Sequence, residues 1–359
     1  MKGLVLAGGL GTGLRPLTHT GPKQLIPVAN KPVLFYGIED MMAAGIKEIG
    51  IIVGYTEERI KILKNAIGDG SRWGIKITYI QQDAPRGLAH AVYCAKDFMG
   101  DDTFVVHLGD NILKGGITKY VKDFENSDYD AAILLSEVEE PWKYGVATLN
   151  EKGEVIDLEE KPEKPKSNFV IVGVYFFKPT IFNAIEKIKP SKRGELEITS
   201  AIRELIISKD HKVKSYFTTD WWDDTGTAEA LLRANHVILS DLKSSDIRGK
   251  VEDGVSIMGN VSVGEGSMIK RGSIIRGPVI IGKNCTIDQA YVGPYTSIGD
   301  NTSITGGEIE SSVVIGDTRI ECEKRIVDSL IGRHSTITSS GPPLRGYRMI
   351  IGENSKIQI

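Results

Sequence analysis

The residues most able to do chemistry lie in a few short stretches. The run Leu6-Ala7-Gly8-Gly9-Leu10-Gly11-Thr12-Gly13-Leu14-Arg15-Pro16 follows directly on an apolar segment. A loop so rich in glycine can aim several backbone N–H groups at one phosphate with no side chain in the way. A dinucleotide-binding fingerprint would need a helix opening inside this loop, which Pro16 and Pro22 oppose. A P-loop would need Gly-Lys followed by Ser or Thr, which is missing. Acidic residues form a second set. Asp110 closes the apolar run Thr103–Leu108 after Gly109, where it suits either a metal ligand or the cap of a turn. Asp223 and Asp224 are adjacent, so a strand would send their carboxylates to opposite faces. Glu159-Glu160-Lys161 reads as a solvated charge run or as part of a site. His19, His90 and His107 show no metal-ligand spacing and are expected to be structural or exposed. Cys94, Cys285 and Cys322 lack a CxxC spacing, so neither a disulfide framework nor a zinc site is indicated.

Alternating strands and helices would position these residues. Lys2–Ala7 and Glu48–Val53 are short apolar runs that suit buried strands, and Ile75–Ile80 alternates like an exposed one. Lys31–Ala44 and Leu88–Phe98 carry apolar residues at helical spacing, and Thr103–Leu108 reads as a further strand. This order predicts a mostly parallel sheet with helices on both faces, with ligands at the carboxyl ends of the strands. The loops after Ala7 and Leu108 are those places. From about Asp246 the texture changes. Residues 251–359 hold 16 of the 40 glycines, in a recurring unit of an aliphatic residue, Gly and a small or polar residue. Val263-Gly264, Ile281-Gly282, Val292-Gly293, Ile298-Gly299, Ile315-Gly316, Ile331-Gly332 and Ile351-Gly352 mark it. Spacings near six or its multiples predict a hexapeptide β-helix, with aliphatic residues inside and glycine allowing the tight corner. The expected domains are 1–241 and 246–359, joined near Leu239–Lys250.

Composition narrows the class. The 359 residues are 41% hydrophobic and 25% charged with net charge −3, an ordinary folded composition. Lys+Arg (44) and Asp+Glu (47) nearly cancel, which argues against a nucleic-acid binder. No apolar run reaches the roughly 18 residues of a membrane span. The start turns glycine-rich too soon for a signal peptide, and scarce cysteine agrees with a cytoplasmic location.

The glycine loop is followed by Pro22-Lys23-Gln24-Leu25-Ile26-Pro27-Val28, then by Gln81-Gln82-Asp83-Ala84-Pro85-Arg86-Gly87 and Leu108-Gly109-Asp110-Asn111. Next come Tyr144-Gly145-Val146, Glu159-Glu160-Lys161-Pro162 and Val172-Gly173-Val174-Tyr175. Gly194-Glu195-Leu196-Glu197-Ile198-Thr199 and Trp222-Asp223-Asp224-Thr225-Gly226 complete the series. In this order the motifs resemble the sugar-phosphate nucleotidyltransferases, and among them the glucose-1-phosphate thymidylyltransferases in their long form with a β-helical tail. Gln24 favours that branch. The resemblance implies a Rossmann-like mixed sheet followed by a left-handed parallel β-helix. It implies transfer of a thymidylyl group from dTTP to α-D-glucose 1-phosphate, giving dTDP-glucose and pyrophosphate, in a homo-oligomer. It also implies roles. Leu6, Ala7, Gly8, Gly9, Gly11, Thr12 and Gly13 would bind the nucleotide, and Gln82 and Gly87 would read the thymine edge. Asp110 and Asp224 would hold Mg²⁺. Lys23 would neutralise phosphate charge, Lys161 would bind the sugar's phosphate, and Gly145, Glu160, Val172 and Gly173 would line the sugar pocket.

One position departs from the family pattern. Gly13 stands where the family carries an arginine that contacts the triphosphate, with Arg15 two residues on. Losing one preorganised donor typically costs about 10²–10³ in rate, so Gly13 predicts a weakened catalyst unless Arg15 does the work. Three other readings stay open: a UTP-dependent relative, a regulatory protein that kept the fold, and an added acyltransferase in the β-helix, whose stretch holds one histidine, His334.

Overall fold

The computed structural model describes residues 1–208 and 210–339. The repeat pair Ile351-Gly352, with Ile357 and Ile359 near the end, lies outside the described residues. The strands are, in chain order, β1 (Lys2–Leu6), β2 (Pro27–Val28), β3 (Lys31–Pro32), β4 (Glu48–Val53), β5 (Lys76–Gln81), β6 (Phe104–Leu108) and β7 (Asn111–Leu113). There follow β8 (Ala131–Glu137), β9 (Gly145–Leu149), β10 (Val155–Glu160), β11 (Phe169–Phe177), β12 (Val213–Phe217) and β13 (Trp222–Asp224). The helices are α1 (Val33–Ala43), α2 (Glu57–Ile67), α3 (Leu88–Tyr93), α4 (Lys96–Met99), α5 (Thr118–Glu125), α6 (Thr180–Lys187), α7 (Ile198–Ile207) and α8 (Ala228–Ser240). Two compact units result: Met1–Leu10 with Leu34–Asp224, and Gly11–Val33 with the residues from Thr225 onward.

The first unit is built on a nine-stranded sheet with the path β10-β9-β11-β6-β1-β4-β5, to which β8 adds beside β11 and β12 beside β8. β1 runs parallel to both β4 and β6 and has Leu4 and Val5 fully buried. Its near-continuous apolar run follows from burial on both faces. β5, whose alternation read as that of an exposed strand, lies at one end of the path with Lys76 and Gln81 exposed and Ile77 buried. The expectation of a mostly parallel sheet is corrected beyond β6. β11 pairs antiparallel with β6, β8 and β9, and β10 with β9. No α-helix intervenes between β8 and β11, so successive strands return by short connections, one of them a 3-10 turn over Pro141–Lys143, as antiparallel pairing allows. The helix expected over Leu88–Phe98 breaks into α3 and α4 at Cys94-Ala95. Phe104, Val106, Ile133, Ala147 and Phe177 lie in the core, with Phe104 stacked on Phe182 at 5.5 Å.

In the second unit the repeats from Asp246 form three parallel sheets, the pattern of a left-handed parallel β-helix. One aliphatic residue per coil stacks on the next: Val263, Ile281, Ile298, Val314 and Ile331 on one side, and Ile269, Ile287, Ile304, Ile320 and Ile337 on another. Val263 to Ile281 is 18 positions and Ile304 to Ile320 is 16, so one coil takes about three hexapeptides. The corner chemistry differs from expectation. The repeat glycines Gly264, Gly282 and Gly299 are needed for close stacking. A Cβ on Gly264 would lie 2.5 Å from the Gly282 carbonyl oxygen, and one on Gly299 2.3 Å from that of Ile315. The left-handed backbone falls two residues later, on Gly266, Asn284, Tyr295, Asn301 and His334. Asparagine tolerates that conformation, and Asn284 donates to Asn301 across the coils at 3.3 Å.

Candidate active site

Within the first unit the carboxyl ends of β1, β4, β5 and β6 carry the predicted residues, as an open α/β sheet favours. β1 ends at Leu6, whose carbonyl accepts from Gly109 N at 3.0 Å, while Ala7 N donates to Ile52 O at 2.9 Å. The next residue turns toward β5. A Cβ on Gly8 would lie 2.9 Å from Gln82 Oε1 and 3.6 Å from the Gly54 backbone, so glycine here leaves room for the Gln82 amide. Gln82 is buried just past β5. Its Nε2 donates to Gly87 O at 3.3 Å and to His90 Nδ1 at 3.2 Å, which turns Oε1 toward Gly8. Gly87 caps α3 with φ 104°, and a Cβ there would meet the Leu196 carbonyl at 2.5 Å. Gln82, Gly87 and Gly8 are thus brought together. His90 was missed. Its signal was local: at four residues before Cys94 it shares that side chain's helical face.

Asp110 and Asp224 are related through a short ribbon. β13 pairs antiparallel with β7 in the register Trp222↔Leu113, Asp223↔Ile112, Asp224↔Asn111. Asp224 therefore faces the residue next to Asp110, and Asp223 is buried on the other side, as alternation predicted. Asn111 ties this corner together. Its Nδ2 donates to Asp110 Oδ1 at 2.9 Å, and its Oδ1 accepts from Trp222 Nε1 at 2.7 Å. A Cβ on Gly173 would meet Asn111 Oδ1 at 2.7 Å. Sequence reasoning passed over Asn111, although it follows Asp110 directly. Two carboxylates on separate backbone segments, steadied by a buried amide, offer the hard oxygen donors a small divalent cation takes.

Of the remaining predicted residues in the first unit, Gly145 and Glu160 are neighbours. Glu160, the last residue of β10, pairs with Gly145, the first of β9. A Cβ on Gly145 would lie 2.7 Å from Thr199 and 3.3 Å from Glu160 Oε2. Thr199 Oγ1 donates to Glu160 Oε2 at 3.2 Å, and Arg193 Nη1 is 3.6 Å from Glu160 Oε1. Burial, reinforced by the charge of Glu197, pushes the Glu160 carboxyl above its usual range. Lys161 is exposed with a left-handed φ of 44°, and its N–H donates to Tyr144 O at 2.9 Å. Val172 and Gly173 lie where the register of β11 on β8 shifts between Ile171 and Tyr175. Such an irregularity redirects side chains beside a site. Tyr144 packs edge-on to Trp222 at 5.3 Å.

The second unit holds the rest of the glycine loop. Gly11 has φ 70° and opens a short 3-10 turn over Thr12–Leu14. Thr18 Oγ1 donates to Gly11 O at 2.6 Å, and a Cβ on Gly11 would press on Lys23 Cβ at 2.9 Å. Lys23 begins a second 3-10 turn beside buried Gln24. Gly13 and Arg15 are exposed. His334 is exposed at a β-helix corner. His107 is fully buried, with Nδ1 at 2.8 Å from Leu108 O.

Fold and strand-end residues together define an α/β nucleotide-binding protein of Rossmann-like mixed sheet, continued by a left-handed β-helix. The nucleotidyl transferase family model matches residues 2–241. Agl11 of Haloferax volcanii, a low-salt glycan biosynthesis nucleotidyltransferase, is 48% identical over 361 residues, covering 100% of both chains. A glucose-1-phosphate thymidylyltransferase of Streptomyces antibioticus is 48% identical over 360 residues, 100% of this chain and 99% of that one. The crystal structure of a UDP-glucose pyrophosphorylase complexed with UDP-glucose matches with TM-score 0.59 and 27% identity, over 67% of this chain and 98% of that chain. The chain belongs to the nucleotidyl transferase family and is a nucleotidyltransferase. Among the described residues no helix is long and apolar enough to cross a membrane.

Proposed function

We propose that the chain transfers a thymidylyl group from dTTP to α-D-glucose 1-phosphate, releasing pyrophosphate and forming dTDP-glucose. The observation that carries this reading is the orientation of Gln82. With Nε2 engaged by Gly87 O and His90 Nδ1, the amide offers Oε1 as an acceptor toward Gly8. Thymine and uracil carry an N3–H donor that such an acceptor pairs, whereas cytosine would leave it buried and unpaired. Full-length similarity to a glucose-1-phosphate thymidylyltransferase supports thymidylyl over uridylyl transfer.

In this reading the backbone of Leu6, Ala7, Gly8, Gly9, Gly11, Thr12 and Gly13 cradles base, ribose and phosphates. Lys23 and Arg15 neutralise charge on the phosphates. Glu160 accepts from sugar hydroxyls beside Gly145, Val172 and Gly173, and Lys161 holds the sugar's phosphate. The phosphate oxygen of glucose 1-phosphate attacks the α-phosphorus of dTTP in line, the bond to the β-phosphate breaks, and pyrophosphate leaves. Positioning and charge neutralisation supply the catalysis, with no covalent intermediate. Asp110 and Asp224 fit Mg²⁺, which when bound supplies positive charge against the nucleotide's phosphates. Residues 1–241 carry this chemistry, and the tail 246–359 assembles a homo-oligomer, which light scattering of the intact protein measures. The decisive test is a matrix of dTTP, UTP, GTP and ATP against several sugar 1-phosphates, read as pyrophosphate release. Highest kcat/KM with dTTP and glucose 1-phosphate is expected; faster turnover of ATP, whose ring lacks that N–H, overturns the role of Gln82, and faster turnover of GTP or UTP overturns the thymidylyl assignment.

A further inference from the structure

Asp83 and Cys94 take no part in the reaction above, and His90 enters it only by orienting the Gln82 amide. Asp83 lies in the loop after β5, His90 on α3, and Cys94 at the cap of α3, one turn beyond His90. One ligand atom from each lies within 4.8 Å of the other two. His90 Nε2 is 3.1 Å from Asp83 Oδ1 and 3.8 Å from Cys94 Sγ. Around one tetrahedral zinc ion an imidazole nitrogen lies about 3.4 Å from a carboxylate oxygen and about 3.5 Å from a thiolate sulfur, given usual bond lengths. The spacings of His90 to Asp83 and to Cys94 are thus close to those around a shared ion.

The chemistry of the donors selects the ion. One sulfur, one imidazole nitrogen and one carboxylate oxygen are wrong for Mg²⁺, which takes oxygen ligands, and suit a zinc-class cation. Arg86 Nη2 sits 3.3 Å from the other carboxylate oxygen of Asp83, which leaves Oδ1 directed at His90. The Asp83 side chain is 63% exposed, so an ion can enter and complete its shell with water. We propose that Asp83, His90 and Cys94 form a binding site for a zinc-class divalent cation, with three protein ligands and a fourth position open to solvent.

The proton balance is defined. Gln82 Nε2 donates to His90 Nδ1, so the ring proton resides on Nε2 and points at Asp83. Metal on Nε2 moves that proton to Nδ1 within the ring, and the Gln82 amide must then turn over so that Oε1 accepts from Nδ1–H. The Cys94 thiol loses its proton to solvent, so one proton is released per ion and nothing is oxidised or reduced. Because the thiol gives up its proton on binding the metal, binding tightens as pH rises.

The test titrates the full chain with Co²⁺, whose bond to a thiolate gives a charge-transfer absorption band. One equivalent should raise the band, Zn²⁺ should abolish it, and one proton should be released per ion. Cys94→Ser should lose the band while Cys322→Ser keeps it. His90→Gln and Asp83→Asn should each weaken Co²⁺ binding at least about tenfold. Thermal melting of each variant without metal reports its fold, and Cys94→Ala provides a second removal of the sulfur. Absence of the band in the native chain overturns the proposal, as does a band that survives Cys94→Ser. Affinity unchanged in both His90→Gln and Asp83→Asn overturns it too. The readout requires no turnover, so its outcome is independent of the substrate assignment.

Discussion

Gly13 lies so close to Gly226 that a Cβ on it would stand 2.7 Å from the Gly226 carbonyl oxygen. The obstacle is backbone, which cannot swing aside as a side chain would. Glycine at position 13 is thus a packing requirement of this loop as folded, which the family comparison alone read only as a lost arginine. Restoring the arginine must part this contact before it can reach a phosphate. Gly13→Arg is expected to lose about 1–3 kcal/mol of stability, the usual range for forcing atoms into occupied space, and to gain less than about tenfold in kcat/KM. Arg15→Ala in the native chain is expected to cost at least about tenfold, because Arg15 is the fork of donors left in the loop. Thermal melts with steady-state kinetics at varied dTTP decide it. A tenfold faster Gly13→Arg protein with an undiminished melting temperature would falsify this view.

Asp224 faces Asn111 across the β13–β7 ribbon, next to Asp110. Replacing either carboxylate by its amide keeps the shape and removes the charge that a divalent ion requires. Asp110→Asn and Asp224→Asn are each expected to lower kcat by about 10³ or more, a large share of the metal's several kcal/mol, while the melting temperature stays within a few degrees. Saturating Mg²⁺ in the assay keeps simple weakening of affinity from being mistaken for lost chemistry. Near-normal turnover in one variant removes that residue from the metal site.

Glu160 gives a pH dependence. Its folded carboxyl binds its proton more tightly than the unfolded one, because burial and Glu197 disfavour the charge. The native state therefore holds extra proton between the ordinary glutamate range and the raised value. Across that window stability falls as pH rises, and above it the ionised carboxylate carries the full penalty. Under the proposed function binding runs the other way, since the ionised form would be the acceptor for sugar hydroxyls. KM for glucose 1-phosphate is expected to rise on acidification through the same window, with KM for dTTP little changed. Glu160→Gln should flatten that profile and raise KM at neutral pH. A profile that survives the substitution assigns the titration to another group.

What the sequence made legible followed from period and composition. The buried strands β1 and β4 announce themselves because both faces are covered, and the coil repeat because each coil needs one aliphatic residue per side. The antiparallel half of the sheet was not legible. Nothing local to Phe169–Phe177 says that it will pair with β6, β8 and β9 at once. The same holds for the site. Asp110 and Gln82 stand in recognisable motifs, whereas the hydrogen bond from Gln82 to His90 and the brace of Asn111 on Trp222 depend on tertiary placement. The repeat glycines misled for another reason. Glycine serves both a left-handed turn and a close approach, and only the backbone angles separate the two uses.

Asn235, in the last helix before the β-helix, shows why the sequence boundary near residue 241 does not coincide with a compact unit. It is 1% exposed and makes three hydrogen bonds. Its Oδ1 accepts from Ala29 N at 2.8 Å and from Ser297 Oγ at 2.6 Å, and its Nδ2 donates to Tyr295 O at 2.9 Å. Asn30 adds a bond from Nδ2 to Ile298 O at 2.7 Å. One amide thus joins α8, the β2–β3 hairpin and a coil of the β-helix. Asn235→Ala would leave two donors and one carbonyl without partners, that of Ser297 fully buried and those of Ala29 and Tyr295 half-buried. Each unsatisfied buried group costs about 1–3 kcal/mol, and the three relax together, so a loss of about 3 kcal/mol is expected. Asn235→Asp keeps the acceptor but buries a charge and removes the donor to Tyr295, so at neutral pH it should be no better. Its stability should recover on acidification, as protonation restores a donor. Denaturant unfolding of the full chain at pH 5 and pH 8 measures both variants. If Asn235→Ala unfolds at the native midpoint, the hydrogen bonds do not hold these segments together.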